Sequence, residues 1–181
     1  IMACKLTVGR LLKCKDAIGG IKTIFIGTHS DFTTGVVTGG TNGEISALPT
    51  ATLYRYELSK GVGDFTETIT ANIENATVFW QQVVNIALHQ LTAIDRAELE
   101  NVSRGRLSIF VLDNNNNIFY VGRFDSAEVT GGAAASGKAK GDLNGYTMTF
   151  TADEKEPARF CEPYTATPLD NYTTITVVPA Y

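Results

Sequence analysis

The chain has 181 residues, enough for one domain with a real core and room for an arm or extended loops. It is 44% hydrophobic and only 19% charged, and its polar remainder is dominated by Thr, Asn and Gly, a composition suited to β-structure with Thr-rich outer faces that a neighbouring subunit can cover without burying many charges. A formal net charge of −4 excludes a sequence-independent nucleic-acid binder, which needs a basic footprint to release counterions.

Residues 1–20 hold Gly9, Gly19, Gly20 and the cations Lys5, Arg10, Lys13 and Lys15, and read as an irregular, contact-making arm. Ile21 to Ile26 forms a first strand, closed by Gly27. Val36–Thr38 and Glu44–Ser46 flank Gly39 to Gly43, where the Asn42-Gly43 pair supplies the positive-φ backbone of a tight hairpin. Ala51 to Leu58 is a further strand, broken between Lys60 and Asp64. From Phe65 to Ile73 the pattern alternates: Phe65, Ile69, Ala71 and Ile73 fall on one face and Thr66, Thr68, Thr70 and Asn72 on the other.

A helix is expected from about Ala76 to Leu91, with Asn75 as its N-cap. Phe79, Val83, Ile86 and Ala87, and in a second row Val84, Leu88 and Leu91, recur at helical spacing, so this helix is expected to lie across the sheet as the main plug of the core. Asp95-Arg-Ala-Glu98 has capping-box form and opens a second, short helix that Gly105 stops. Arg106 to Leu112 and Ile118 to Phe124, joined by Asp113 and four asparagines, make the hairpin around which the chain is organised.

Ser126 to Val129 adds a strand before the stretch Thr130 to Gly137. That stretch has no side chain able to hold it in a core, and it reads either as a mobile loop or as a segment laid closely on something else. Tyr146 to Thr151 places Tyr146, Met148 and Phe150 on one side and Thr147, Thr149 and Thr151 on the other. Glu154 to Pro157 turns the chain, and the tail carries Pro157, Pro163, Pro168 and Pro179 with an outlying strand at Thr173 to Val178.

No motif carries catalytic chemistry. Cys4, Cys14 and Cys161 cannot all pair and show no CxxC spacing, so a disulfide framework, a metal site and a secreted origin are all disfavoured in favour of synthesis in a reducing compartment. His29 beside Ser30 and Asp31 suggests a triad, but sequence neighbours cannot form the in-line relay one needs. His89 falls within the expected long helix. Asp113 with Asn114 to Asn117 lacks the glycine and bidentate carboxylate of a calcium loop. Gly131, Gly132 and Gly137 lack phosphate-loop spacing, so no nucleotide or other cofactor is expected. Lys5 and Arg10 interrupt any signal peptide, and no stretch approaches the ~20 apolar residues of a membrane helix. Without an export signal, the triplets Asn75-Ala-Thr77, Asn101-Val-Ser103 and Asn171-Tyr-Thr173 are chance matches to the glycosylation pattern.

Several stretches carry a family likeness: Cys14-Lys-Asp-Ala-Ile-Gly-Gly-Ile-Lys-Thr-Ile-Phe-Ile-Gly27, the Ser103-Arg-Gly-Arg106 junction, Val129-Thr-Gly-Gly132, Gly141-Asp-Leu-Asn-Gly-Tyr-Thr-Met-Thr-Phe-Thr-Ala152 and Pro157-Ala158. Over roughly residues 3–160 the chain resembles small virion structural proteins of crAss-like and related phages of gut Bacteroidetes. The order of strands, helical segment, hairpin and closing strands is also similar to the tail-tube fold, while the residues after Glu162 depart from the shorter family pattern.

The resemblance implies a mainly β protein with one helical segment (α+β), a tail-tube-like antiparallel β-sandwich or barrel with a flanking helix. Residues 1–161 would form this domain, including the arm, and 162–181 an extension contacting neighbours. It implies a non-enzymatic subunit of a phage tail or neck, assembled in the host cytoplasm and located in the virion. Such subunits form a homo-oligomeric ring, six-fold or alternatively twelve-fold, with other tail and neck proteins as partners and genomic DNA passing transiently through the lumen. Expected assembly contacts are Gly131, Gly132, Ala134 and Gly137, and in the tail Tyr164, Tyr172, Ile175 and Val177. Thr66, Thr68, Thr70, Thr147 and Thr149 are expected to face the lumen. The rival reading is a fimbrial or adhesin-like β-protein of a cell surface, which calls for an export signal.

Overall fold

The computed structural model describes residues 8–40 and 42–180; Cys4, Lys5, Thr41 and Tyr181 lie outside them. In chain order its elements are β1 (Ile21–Thr28), a 3-10 turn (His29–Phe32), β2 (Val37–Thr38), β3 (Ile45–Ala47), β4 (Ala51–Glu57), β5 (Gly63–Asn72), β6 (Thr77–His89), α1 (Ala93–Arg104), β7 (Leu107–Asp113), β8 (Ile118–Val121), β9 (Glu128–Ala135), β10 (Gly145–Glu154), β11 (Arg159–Phe160) and β12 (Ile175–Val178). A six-stranded sheet runs β11-β8-β7-β1-β4-β12, a four-stranded sheet runs β5-β6-β10-β9, and β2 with β3 makes a small ribbon. The protein is therefore mainly β with one helix. Among the described residues both large sheets end in edge strands with one neighbour each, so this is an open sandwich and not a closed barrel.

The central strands of the six-stranded sheet are buried on both faces, which is why β1 and β7 read as nearly continuous apolar runs. Ile24, Ile26, Ile109 and Val111 face the four-stranded sheet, meeting Val84, Ile86, Tyr146, Met148 and Phe150. On the opposite face Phe25, Phe110, Leu112 and Tyr120 are covered by Phe32, Ile45, Leu48, Leu169 and Tyr172. There the Phe110 and Tyr120 rings stack at 4.4 Å between centroids, with Phe32 tilted onto Phe110 at 5.6 Å.

The helix expected over residues 76–91 does not exist: the segment is β6, paired to β5 on one side and β10 on the other. Gln82, Val84 and Ile86 point into the sandwich and are buried, while Val83, Asn85 and Ala87 alternate with them on the other face. Apolar residues on both faces of a central strand imitate the two rows of a helix, and the β-branched and aromatic composition decides the matter. Asn75 is no N-cap; it lies in the β5–β6 turn, where its N–H donates to Asn72 Oδ1 at 3.0 Å. The helix that does form is capped by Thr92, whose Oγ1 accepts from the Asp95 N–H at 3.1 Å, so it begins before the expected box. Gly105 ends it at φ −90°, without the left-handed turn of a glycine C′ residue.

Of the two readings of the Gly/Ala stretch, a mobile loop or a segment laid closely on something else, the structure shows the second: Thr130 to Ala135 is most of β9, which pairs along β10 from Glu128 to Ala135. One further expectation changes. The tail after Glu162 folds back on its own chain: β12 pairs in parallel with β4, and Leu169 and Tyr172 are buried in the second core cluster. Tyr172 donates to the Ile45 carbonyl and accepts from the Glu162 N–H at 3.0 Å, fastening the tail to β3. Among the described residues no helix is long and apolar enough to cross a membrane.

Candidate functional site

The residues singled out from sequence are brought together most clearly on the outer face of the four-stranded sheet. Across β5 and β6 the register pairs Thr66 with Val83, Thr68 with Gln81 and Thr70 with Phe79. Across β6 and β10 it pairs Ala87 with Thr147, Asn85 with Thr149 and Val83 with Thr151. Paired residues in a sheet share a face, so all five threonines expected to line a lumen lie on one continuous surface with β6 between the two groups. Thr66, Thr68, Thr70 and Thr147 are exposed, and Thr149 is half-buried.

Hydrogen bonds run across this face from strand to strand. Thr149 Oγ1 donates to Asn85 Oδ1 at 2.8 Å, and Asn85 Nδ2 donates to Asp64 Oδ2 at 3.1 Å. Gln81 Nε2 donates to Asp153 Oδ1 at 3.1 Å, and the Thr130 and Thr151 hydroxyls meet at 2.8 Å. None of the four strands contains Lys or Arg. The face thus offers hydroxyls, amides, the apolar Phe79, Val83 and Ala87, and three marginal carboxylates, Asp64, Asp153 and Glu128; its strands contribute no cation of their own, and Arg106 reaches it only at the β9 edge, 3.8 Å from Glu128.

The two ends of this sheet are the free strands β5 and β9. Gly131, Gly132 and Ala134 lie on β9, where a side chain added at Gly131 would meet nothing within 4 Å and one at Gly132 would strike the Thr147 carbonyl at 2.7 Å. The small residues leave a groove between β9 and α1, floored by Tyr146 and Met148 and walled by Leu99 and Ser103. Gly137 stands apart, in the turn where Asp142 accepts the Lys138 and Ala139 N–H groups at 2.9 and 2.7 Å. Tyr164, Tyr172, Ile175 and Val177 do not join this surface, because they cover the far face of the six-stranded sheet.

The remaining polar groups have their partners within the fold. His29 is buried, and its Nδ1 lies 3.2 Å from Ser108 Oγ, itself 2.9 Å from the Tyr120 hydroxyl. Its partner is therefore neither Ser30 nor Asp31, and burial, with the Arg106 charge, holds its pKa below the usual imidazole value. Glu154 is buried with both carboxylate oxygens accepting from the Phe124 N–H at 3.0 Å and one of them from the Asp125 N–H; burial raises its pKa. Gln82, equally buried, reaches Glu67, the Glu156 carbonyl and the Gly122 N–H, so this pair clamps the loop after β8 onto the sandwich end. Asp113 Oδ1 accepts from the Asn115 and Asn117 N–H groups at 2.8 and 2.7 Å, which commits the carboxylate to its own turn. Among the described residues no three His, Cys, Asp or Glu side chains converge as a metal site.

Sequence reasoning missed the Gln82–Glu154 clamp, and alternation along β6 and β10 was its only signal. No family model, curated protein or solved structure matches the chain.

Proposed function

We propose that the protein is a structural subunit of a phage tail or neck, building a ring or tube whose wall is the four-stranded sheet and whose lumen conducts the genome. The observation that carries this reading is the outer face uniting Thr66, Thr68, Thr70, Thr147 and Thr149, whose four strands contribute no Lys or Arg. A passing DNA forms phosphate contacts with every Lys or Arg it meets, and each contact adds salt-sensitive affinity and therefore drag. A wall of hydroxyls, amides and carboxylates adds none.

The edges support the assembly half of the reading. β5 and β9 bound the same sheet on opposite sides, so pairing β5 of one copy with β9 of the next extends the Thr face and satisfies both rows of free backbone groups. Glycine and alanine on β9 let the neighbouring strand and its side chains approach closely. Repetition of a contact between unlike surfaces closes into a ring when its rotation permits, six-fold or twelve-fold here, and further tail or neck proteins would stack on that ring.

Negative-stain microscopy of the purified full chain, paired with fluorescence anisotropy on duplex DNA at low salt, tests both halves. Rings or tubes without measurable DNA affinity are expected, with Thr68→Lys or Thr147→Lys creating affinity that falls as salt rises. A strictly monomeric protein at ~100 μM, or tight DNA binding by the unmodified ring, overturns the reading.

A further inference from the structure

Among the described residues two surfaces of complementary character are left without partners, and they do not meet. One is the segment preceding β1. Val8, Leu11 and Leu12 are 87%, 87% and 101% exposed, and Arg10, Lys13 and Lys15 accompany them before the first carboxylate, Asp16. The root of this segment is held by the asparagine run. The Asn115 carboxamide accepts from the Ile18 N–H at 3.0 Å and donates to the Ile18 carbonyl at 2.7 Å, while Asn114 Nδ2 donates to the Gly19 carbonyl at 2.6 Å. The Asn114 N–H adds a bond to the Gly20 carbonyl at 3.1 Å. A primary amide carries the same donor and acceptor as a peptide, so Asn115 grips Ile18 as an adjoining strand would. Residues 8–17 thus project from a fixed point, with a reach of about 33 Å when extended.

The other surface is the outer part of the β5–β6 hairpin. β10 accompanies β6 only from Trp80 to His89, so Thr77 to Phe79, the facing Thr70 to Asn72 and the turn between them extend beyond the sheet. On the side continuous with the core, Ile69, Ala71 and Val78 share a face that no other described residue covers; Ile69 is 63% exposed, Val78 49%, and Ile73 at the tip 95%. Residues 61–90 contain no Lys or Arg; of their carboxylates Glu67 shares this face, accepting from Gln82 Nε2 and the Ala158 N–H, and Glu74 stands in the turn at the tip, whereas Asp64 belongs to the opposite, Thr-bearing face. This surface is apolar and anionic where the first is apolar and cationic.

We propose that residues 8–17 of one copy dock along the apolar, anionic face of the β5–β6 hairpin of a second copy. The inference deepens the assembly reading above by naming a contact for it. The occupant is the chain itself because both halves of the match are present on it, and because charge favours the pairing: beyond residue 20 the chain carries eleven basic residues against eighteen acidic ones. Opposite charge steers the arm to the body of a neighbour, and the exposed isoleucines and valine give Leu11 and Leu12 a place to leave water. Each copy gives an arm and receives one. Such a contact is heterologous and propagates head to tail.

The test uses the full chain with a photo-crosslinking phenylalanine analogue at Leu12, prepared in ordinary and 15N-labelled forms and mixed. Mass spectrometry should find mixed-isotope links joining residues 8–17 to residues 69–79. Leu12→Asp and Ile73→Asp alter side chains already in water, so both variants keep the monomer fold. Each should weaken self-association in sedimentation equilibrium about tenfold, and the double variant should lose little more than either alone. Links confined to one copy, links to another region, or association indifferent to both substitutions would overturn the proposal. Rings that persist in Leu12→Asp would sink this contact and spare the ring reading. Arm-to-hairpin links in open chains without rings would do the reverse.

Discussion

The tail offers a quantitative test, because Tyr172 holds it through two separable interactions. Its ring is buried in the cluster with Phe25, Leu53, Phe110 and Leu169, and its hydroxyl sits between the Ile45 carbonyl and the Glu162 N–H. Those two backbone groups also bond each other at 3.2 Å. Removing the hydroxyl in Tyr172→Phe therefore leaves neither one orphaned, and the loss is that of an ordinary hydrogen bond, about 0.5–1.5 kcal/mol. Tyr172→Ala also deletes the ring and leaves a cavity, which for an aromatic costs about 3–5 kcal/mol. A domain stable by ~5–15 kcal/mol would lose a large share of its stability. With a urea slope near 2 kcal/mol/M, the Ala variant should unfold roughly 2 M earlier than the parent and the Phe variant less than 1 M earlier. Equal midpoints for Tyr172→Ala and the parent would refute the placement of the tail in this core and return residues 162–181 to the role of a free extension.

Other substitutions probe the sandwich and its buried groups. Val84→Asp places an unpaired charge at a fully buried position and should unfold the protein, whereas Val83→Asp, half-buried on the outer face, should stay folded by circular dichroism; the opposite outcome would mean β6 has the wrong side inward. In a Cys4→Ser background a thiol reagent should label Cys14 at once. Cys161, its thiol pushed up to about 12 by burial, should react only as the protein unfolds, so two fast thiols would contradict the core. Because His29 has a folded pKa below its ordinary 6.5, the unfolded chain binds the extra proton first. Its contribution to stability is complete above that value and declines as pH falls through it, and urea titrations from pH 5 to 8 should show this slope vanish in His29→Gln.

Where one pattern dominated locally, the fold could be read directly. β1 and β7 are short apolar runs, β10 alternates, and the β7–β8 turn carries residues that favour reversal, with Asn116 at φ 64°. The other elements take their structure from distant partners. β9 has almost no side chains with which to signal a strand, and it is one because β10 supplies its ladder. β12 is held by β4, more than a hundred residues earlier, in a parallel pairing that no adjacent turn announces. The site was half legible. Alternation gives the Thr faces of β5 and β10 separately, but joining them requires the strand that sits between, whose apolar spacing imitates a helix.

That misreading and the character of the face have a common cause. On a central strand with one side in bulk water, the outward positions are ordinarily charged or strongly polar, and the alternation is clean. β6 instead turns Phe79, Gln81, Val83, Asn85 and Ala87 outward, an alternation of apolar and uncharged polar residues within the outer row itself. Those outward apolar residues completed the false helical rows. They also make the face something other than an ordinary solvated surface: Val83 lies between Thr66 and Thr151, flanked by β-branched side chains, and carboxylates enter only toward the margins at Asp64, Asp153 and Glu128. Such a face is too polar to be a dry interface and too poor in charge to bind a polyanion. Under the proposed ring reading, a wall past which DNA slides would call for both properties, since hydration keeps apolar contacts from sticking and a scarcity of cations keeps phosphates from pausing.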